Sequence, residues 1–291
     1  MKKIPIKALS AIIISLLSLG FIGETNRSEA VELRWKLKEG DTLTYETSMV
    51  EMDSSTFNFN IDEIFGNASD SSDSEANEFF EKFKNFYTNT NIITRLTHSQ
   101  HFEDVLAIEM LAIPKKKVTE KEEEKDQFMN AMLRGTMLRG SVHPSGELHS
   151  FWVQSKQKNL ISIFFELPPG KVSAGDSWSL NNVNLIGNDQ NFVCEEANKS
   201  NQVRLREIKS VEGESIAVLD YDILEYVSGQ FNSPFGAKNK GKKTIMKFVY
   251  KAQAEFSIDK GKWISYQGIM SLDVQGIMNS KQRQKFALVE K

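Results

Sequence analysis

The clearest pattern in the chain lies between Met246 and Val274. Met246, Phe248, Tyr250, Ala252, Ala254, Phe256 and Ile258 alternate with Lys247, Val249, Lys251, Gln253, Glu255, Ser257 and Asp259. After Lys260-Gly261 the apolar series resumes at Ile264, Tyr266, Met270, Leu272 and Val274. A period of two places successive side chains on opposite faces of a strand, and a turn glycine between two such runs makes a hairpin. The hairpin is antiparallel, with one wet face and one apolar face, and the rest of the chain has to cover the apolar face.

A second constraint is repetition. Gly40-Asp41-Thr42-Leu43 opens a strand near the start of the chain, and Gly175-Asp176-Ser177-Trp178 repeats the same glycine, carboxylate, hydroxyl and apolar order. The hairpin Val142-His143-Pro144-Ser145-Gly146-Glu147-Leu148 corresponds to Ile258-Asp259-Lys260-Gly261-Lys262-Trp263-Ile264 in its apolar flanks and turn glycine. Pro168 and Pro169 stop the apolar run before the second Gly-Asp turn. These signals divide the chain into residues 1–30, a first half over 31–166 and a second half over 167–291, the two halves together making one β-rich domain.

Helical periods interrupt the first half. Ser72-x-x-Glu75 has the form of a capping box and precedes Phe79, Phe80, Phe83, Phe86 and Tyr87 at three- and four-residue spacings. Thr119-x-x-Glu122 leads in the same way to Phe128, Met129, Met132 and Leu133. Leu160, Ile163, Phe164 and Leu167 form a third apolar face. Val105 to Ile113 is nearly continuous in apolar residues and reads as a strand covered on both faces. The predicted fold is α+β, mainly β: a duplicated, curved antiparallel sheet, half-barrel-like, with amphipathic helices on its concave face.

Residues 1–30 read as a secretory signal peptide. Lys2, Lys3 and Lys7 precede an apolar run from Ala8 to Ile22, and Ser28-Glu29-Ala30 brackets a cleavage point that leaves Val31 first. No later stretch reaches the roughly 18 apolar residues of a membrane span. The chain has 36 Lys+Arg and 39 Asp+Glu, and removal of residues 1–30 leaves 32 and 37. That acidic balance argues against nucleic acid as a partner. Cys194 is the only cysteine, so no internal disulfide forms, and its strand-like surroundings predict a buried or half-buried thiol.

The sequence lacks Gly-x-Gly-x-x-Gly, Gly-x-Ser-x-Gly and His-Glu-x-x-His. Gly236 to Thr244 approaches a phosphate-binding loop, but Lys243 stands where a magnesium-binding hydroxyl is needed and a strand follows where a helix is needed. It reads as a basic hairpin loop. The stretch 53–75 is acidic and contains no Lys or Arg, yet it lacks the glycine and terminal glutamate of a calcium loop. His98 and His101, three apart in a strand-like segment, point to opposite faces and do not share a metal. No catalytic residue, cofactor or metal is predicted, and the chain reads as a non-enzyme.

The opening Arg34-Trp35-Lys36-Leu37-Lys38-Glu39-Gly40-Asp41 and the central Leu167-Pro168-Pro169-x-x-Val172-x-x-Gly175-Asp176-Ser177-Trp178 resemble a group of exported bacterial proteins of unknown function. The inferred architecture is similar to the half-barrels of periplasmic lipoprotein carriers. The signal segment implies an exported, periplasmic or extracellular protein, and the leading expectation is a non-enzymatic protein of the cell envelope that holds an apolar or amphiphilic ligand such as a lipid between the sheet and its helices. The 19 phenylalanines suit such a pocket, and Trp152, Phe164 and Phe165 are its candidate lining. The competing expectation is a structural or protein-interaction module with a filled core. It would present the acidic stretch or the Lys238 to Lys243 loop to another envelope protein.

Overall fold

The alternation from Met246 to Val274 folds into two paired strands, Lys243–Ser257 and Lys262–Gln275, within one large antiparallel sheet. The computed structural model describes residues 30–52, 56–58, 90–115, 135–153, 160–181, 183, 185–186, 192–231, 242–276 and 279–291. Its strands are β1 (Thr42–Glu51), β2 (Thr56–Asn58), β3 (Thr90–His98), β4 (Leu106–Pro114), β5 (Gly135–Val142) and β6 (Leu148–Val153). Then come β7 (Ser177–Trp178), β8 (Phe192–Val211), β9 (Glu214–Phe231), β10 (Lys243–Ser257), β11 (Lys262–Gln275) and β12 (Asn279–Glu290). Among the described residues there is one helix, α1 (Leu160–Phe165), between β6 and β7.

The sheet is open, with the order β6-β5-β4-β3-β1-β12-β11-β10-β9-β8-β7, and β2 pairs with β12 off this path. The described chain therefore enters at the middle of the sheet and steps outward to β6. It crosses through α1 to the opposite edge at β7 and steps back until β12 pairs with β1, from Tyr45 opposite Glu290 to Glu51 opposite Gln284. The run β1, β3, β4, β5, β6 and the run β7, β8, β9, β10, β11 are laid down in the same direction across the sheet. Their opening turns share one hydrogen bond: Asp41 N–H donates to the Lys38 carbonyl and Asp176 N–H to that of Ser173, each at 3.0 Å. Their closing hairpins share a bulge, which leaves His149 extra in β6 and Ile264 extra in β11.

That bulge corrects one detail of the alternation. Phe256 pairs with Trp263 and Glu255 with Ser265, so Trp263 turns inward and Ile264 outward, 41% exposed. From Tyr266 onward the expected face turns inward, with Tyr266, Met270 and Val274 buried and Leu272 partly buried. Strand β4 also differs from expectation: Leu106, Ile108, Met110 and Ala112 are buried, while Ala107, Glu109 and Leu111 on the other face are partly exposed. It is a strand with one covered face, and its apolar outer residues hid the alternation.

The expectation of amphipathic helices against a concave face is not met by the described residues. Helix α1 is short and apolar except for Ser162, with Ile161 to Phe165 all buried, so it has no wet face to turn to solvent. It belongs to the core. The helical periods at 72–87 and 119–133, the acidic stretch 53–75 and the loop at 236–241 lie outside the described residues. Among the described residues no helix is long and apolar enough to cross a membrane.

Contacts from α1 reach strands far apart in the sheet. Ile161 sits so close to Gly140 of β5 that a Cβ there would lie 2.6 Å from its Cδ1, and Phe164 packs on Tyr266 of β11 with ring centres 5.2 Å apart. The segment before β1 does the same from outside the helix. Trp35 N–H donates to the Pro144 carbonyl in the β5–β6 turn, and Lys36 N–H donates to the Gly261 carbonyl in the β10–β11 turn.

Candidate functional site

The buried face of the sheet and α1 build an aromatic cluster. Trp35, Phe164, Phe165, Phe256, Trp263 and Tyr266 are each 3% exposed or less. Trp35 meets Phe256 and Trp263 edge-on at 5.4 and 5.8 Å, and Phe256 meets Trp263 edge-on at 4.9 Å. Edge-to-face contacts at these distances are favourable beyond the area they bury.

The last turn of a helix leaves carbonyls without intrahelical partners, and burial makes them costly unless a donor arrives. Here three successive carbonyls receive one each. Tyr266 Oη donates to Ile163 at 3.1 Å, Trp263 Nε1 to Phe164 at 2.7 Å and Trp35 Nε1 to Phe165 at 2.9 Å. Tyr250 Oη donates to Tyr266 Oη at 2.9 Å and continues the chain into β10. Burial raises the pKa values of Tyr221, Tyr250 and Tyr266, so these phenols stay protonated, and Tyr250 and Tyr266 serve as donors.

Glu166 follows the helix and is 3% exposed. Its carboxylate accepts from Ser162 Oγ at 2.5 Å and from Asn181 N and Nδ2, both at 2.8 Å. Burial pushes its pKa up, and these donors pull it partly back. A second buried acid, Glu225, accepts from the Leu185 and Ile186 N–H groups at 2.9 and 2.8 Å and pairs with Lys199 at 3.5 Å. Glu166 ties the segment after β7 to the end of α1, and Glu225 holds it against β9 of the sheet.

Of the three candidate lining residues, the structure keeps two together and sends the third elsewhere. Phe164 and Phe165 lie adjacent on α1 at 0% exposure, packed on other aromatic rings. Trp152 is on the edge strand β6, 52% exposed, on the outer face of the sheet. The histidines are dispersed: His98 Nε2 donates to the Leu37 carbonyl at 2.7 Å, while His143 and His149 meet edge-on at 5.2 Å near the β5–β6 turn. Among the described residues no group of His, Cys, Asp and Glu could hold a metal ion. Cys194 is exposed, against expectation. It lies at the start of β8, which among the described residues has a single neighbouring strand there, β9.

Trp152 belongs instead to a row that sequence reading missed. Thr44 pairs with Arg95, Arg95 with Glu109, Glu109 with Arg139, and Arg139 with Trp152, so five strands present these residues in line on the outer face. The Arg139 guanidinium lies 5.9 Å from the centre of the Trp152 ring and 3.9 Å from Glu109. Thr136 Oγ1 donates to Glu109 at 3.2 Å. The exposed Arg95 side chain has no hydrogen-bond or ion-pair partner among the described residues. Beside this row an open depression of about 590 Å³ is floored by Ala107, Ile108 and Gly140 and walled by Thr42, Thr97, Arg95, Glu109 and Arg139.

No family model, no curated protein and no solved structure matches this chain.

Proposed function

We propose that the protein is an exported, non-enzymatic module of the cell envelope whose core is filled and whose recognition takes place on its surface. The observation that carries this reading is the seating of α1. Phe164 and Phe165, suited by composition to line a ligand chamber, are at 0% exposure, and the three carbonyls around them each hold a tryptophan or tyrosine donor. A lipid entering this part of the core would have to displace packed rings and strip those carbonyls, at about 1–3 kcal/mol for each left unpaired. The geometry thus favours the interaction module over the lipid carrier.

The reading includes a finer picture of the fold: two copies of one unit in a sheet that curls like a half-barrel. The shared strand direction, turn hydrogen bond and hairpin bulge support the duplication. Curling is supported by distance. Strands β5 and β11 are five spacings apart in the sheet, about 24 Å if flat. Yet α1, with six residues and a length of about 9 Å, touches both. Export fits the position of Val31, which exchanges hydrogen bonds with Val172 at 2.9 and 2.8 Å directly after the proposed cleavage point.

Native mass spectrometry of protein purified gently from its own envelope fraction, followed by organic extraction, tests the reading. A mass equal to the polypeptide beginning at Val31 is expected. A stoichiometric lipid or other amphiphile would overturn the filled-core module in favour of a carrier.

A further inference from the structure

The row Arg95, Glu109, Arg139 and Trp152 combines features that no packing need explains. Arg95 has five guanidinium donors and no partner among the described residues. Trp152 exposes half of a large ring, with a cation against its face. The row crosses the strands, so Arg95 and Arg139 stand about 10 Å apart and Trp152 about 14 Å from Arg95.

We propose that this row and the depression beside it bind an acidic polysaccharide of the cell envelope, with its carboxylates on Arg95 and Arg139 and the C–H face of a sugar ring on Trp152. The proposal rests on the reading of the protein as a surface module and names the partner class. A guanidinium fork matches a carboxylate in two parallel hydrogen bonds. Glu109 stands between the two arginines, accepts sugar hydroxyls and repels a continuous run of negative charge. Thr42 and Thr97 add hydroxyls along the wall of the depression.

The placement favours a glycan over the alternatives. A bound peptide strand gains most by adding main-chain hydrogen bonds at a sheet edge, whereas Arg95 and Glu109 lie on the interior strands β3 and β4 and offer side chains alone. A lipid would find one large apolar side chain in the row. Nucleic acid would need a continuous basic footprint, and Glu109 interrupts this one between Arg95 and Arg139.

The test is calorimetric titration of the purified protein with oligogalacturonates, with the carboxyl-reduced neutral oligomers and poly-glutamate as comparisons. Acrylamide quenching of tryptophan is compared between the parent chain and Trp152→Ala, so that the difference reports Trp152: Trp35 and Trp263 are buried, and the partly exposed Trp178 contributes equally to both. Saturable binding that shields Trp152 is expected, at least tenfold tighter than for either comparison. Arg95→Gln and Trp152→Ala should each weaken it at least tenfold with thermal melts unchanged, because both side chains are exposed. Three results would overturn the proposal: no binding at millimolar oligogalacturonate, equal binding of poly-glutamate, or full binding by both variants. If the protein has an apo mass in the native spectrum, any of these removes the saccharide site alone and leaves the surface module standing.

Discussion

The indole N–H of Trp263 donates to the main-chain carbonyl of Phe164 at 2.7 Å, across 99 residues of sequence. The bond ties the closing hairpin of the second half to the helix at the end of the first. Replacing Trp263 by Phe keeps an aromatic ring but leaves the buried carbonyl without its donor. Trp263→Phe is expected to lose about 1–3 kcal/mol in urea denaturation. An unchanged midpoint would show that the carbonyl contributes nothing.

Two turn glycines separate backbone strain from crowding. Gly146 and Gly213 have nearly equal positive φ, 82° and 84°. A Cβ on Gly146 would lie 2.2 Å from Leu167 Cβ, whereas one on Gly213 would meet nothing within 4 Å. Gly213→Ala should cost about 1–2 kcal/mol, the left-handed conformation alone. Gly146→Ala should cost roughly 1–3 kcal/mol more through overpacking. Equal thermal shifts for the two variants would refute the close approach of Leu167.

Glu166 and Glu214 should give pH dependences of opposite sign. Burial raises the Glu166 pKa, so the folded state holds that proton more tightly than the unfolded chain. Its contribution is complete below the unfolded value of about 4.3 and is lost as pH rises through the folded value. Glu214 is lowered, chiefly by its hydrogen bond from Lys260 and then by that from Ser257. Its contribution is present above about pH 4.3 and is lost as pH falls through the depressed value. Glu166→Gln should flatten the melting-temperature profile on the side above that value, and Glu214→Gln on the acid side. Matching profiles for both variants and the parent chain would contradict the assignment.

The pair Glu225 and Lys199 should respond unequally to truncation. The Glu225 side chain is 2% exposed and serves two buried main-chain N–H groups, while that of Lys199 is 51% exposed. Glu225→Ala strands both donors and should cost about 3 kcal/mol or more. Lys199→Ala leaves the carboxylate its two N–H partners and should cost about 1 kcal/mol or less. Denaturant melts of both variants decide it. A larger loss for the lysine variant would mean that the ion pair, and not the amide cradle, holds the segment.

Local order carried the hairpin and the two Gly-Asp turns into the sequence reading, because a period of two and a turn glycine act over a few residues. It failed at Trp263 and Ile264, where one bulge residue exchanges the faces. The run Leu160 to Leu167 showed apolar spacing, yet spacing alone does not tell a helix lying on a core from one inside it. Its indole and phenol donors come from positions 35, 263 and 266. The exposure of Cys194 follows from the strand order, which no window of sequence contains. Trp152 was visible as a candidate. Its neighbours Arg139, Glu109 and Arg95 were not, because register alone aligns them.

The pairing of β1 with β12 sets an order of events for a chain that emerges from its N-terminus. Until β12 arrives, β1 has β3 on one side and an unfilled edge on the other. Each half can zip up by neighbour-to-neighbour pairing, but the seam that makes them one sheet joins positions about as far apart as the described chain allows. Closing so distant a contact is slow relative to local hairpins. The seam is therefore the natural last step of assembly, and truncation within β12 would remove the strand pairing that joins the halves and leave them linked through α1 and the segment before β1, a failure distinct from gradual loss of stability.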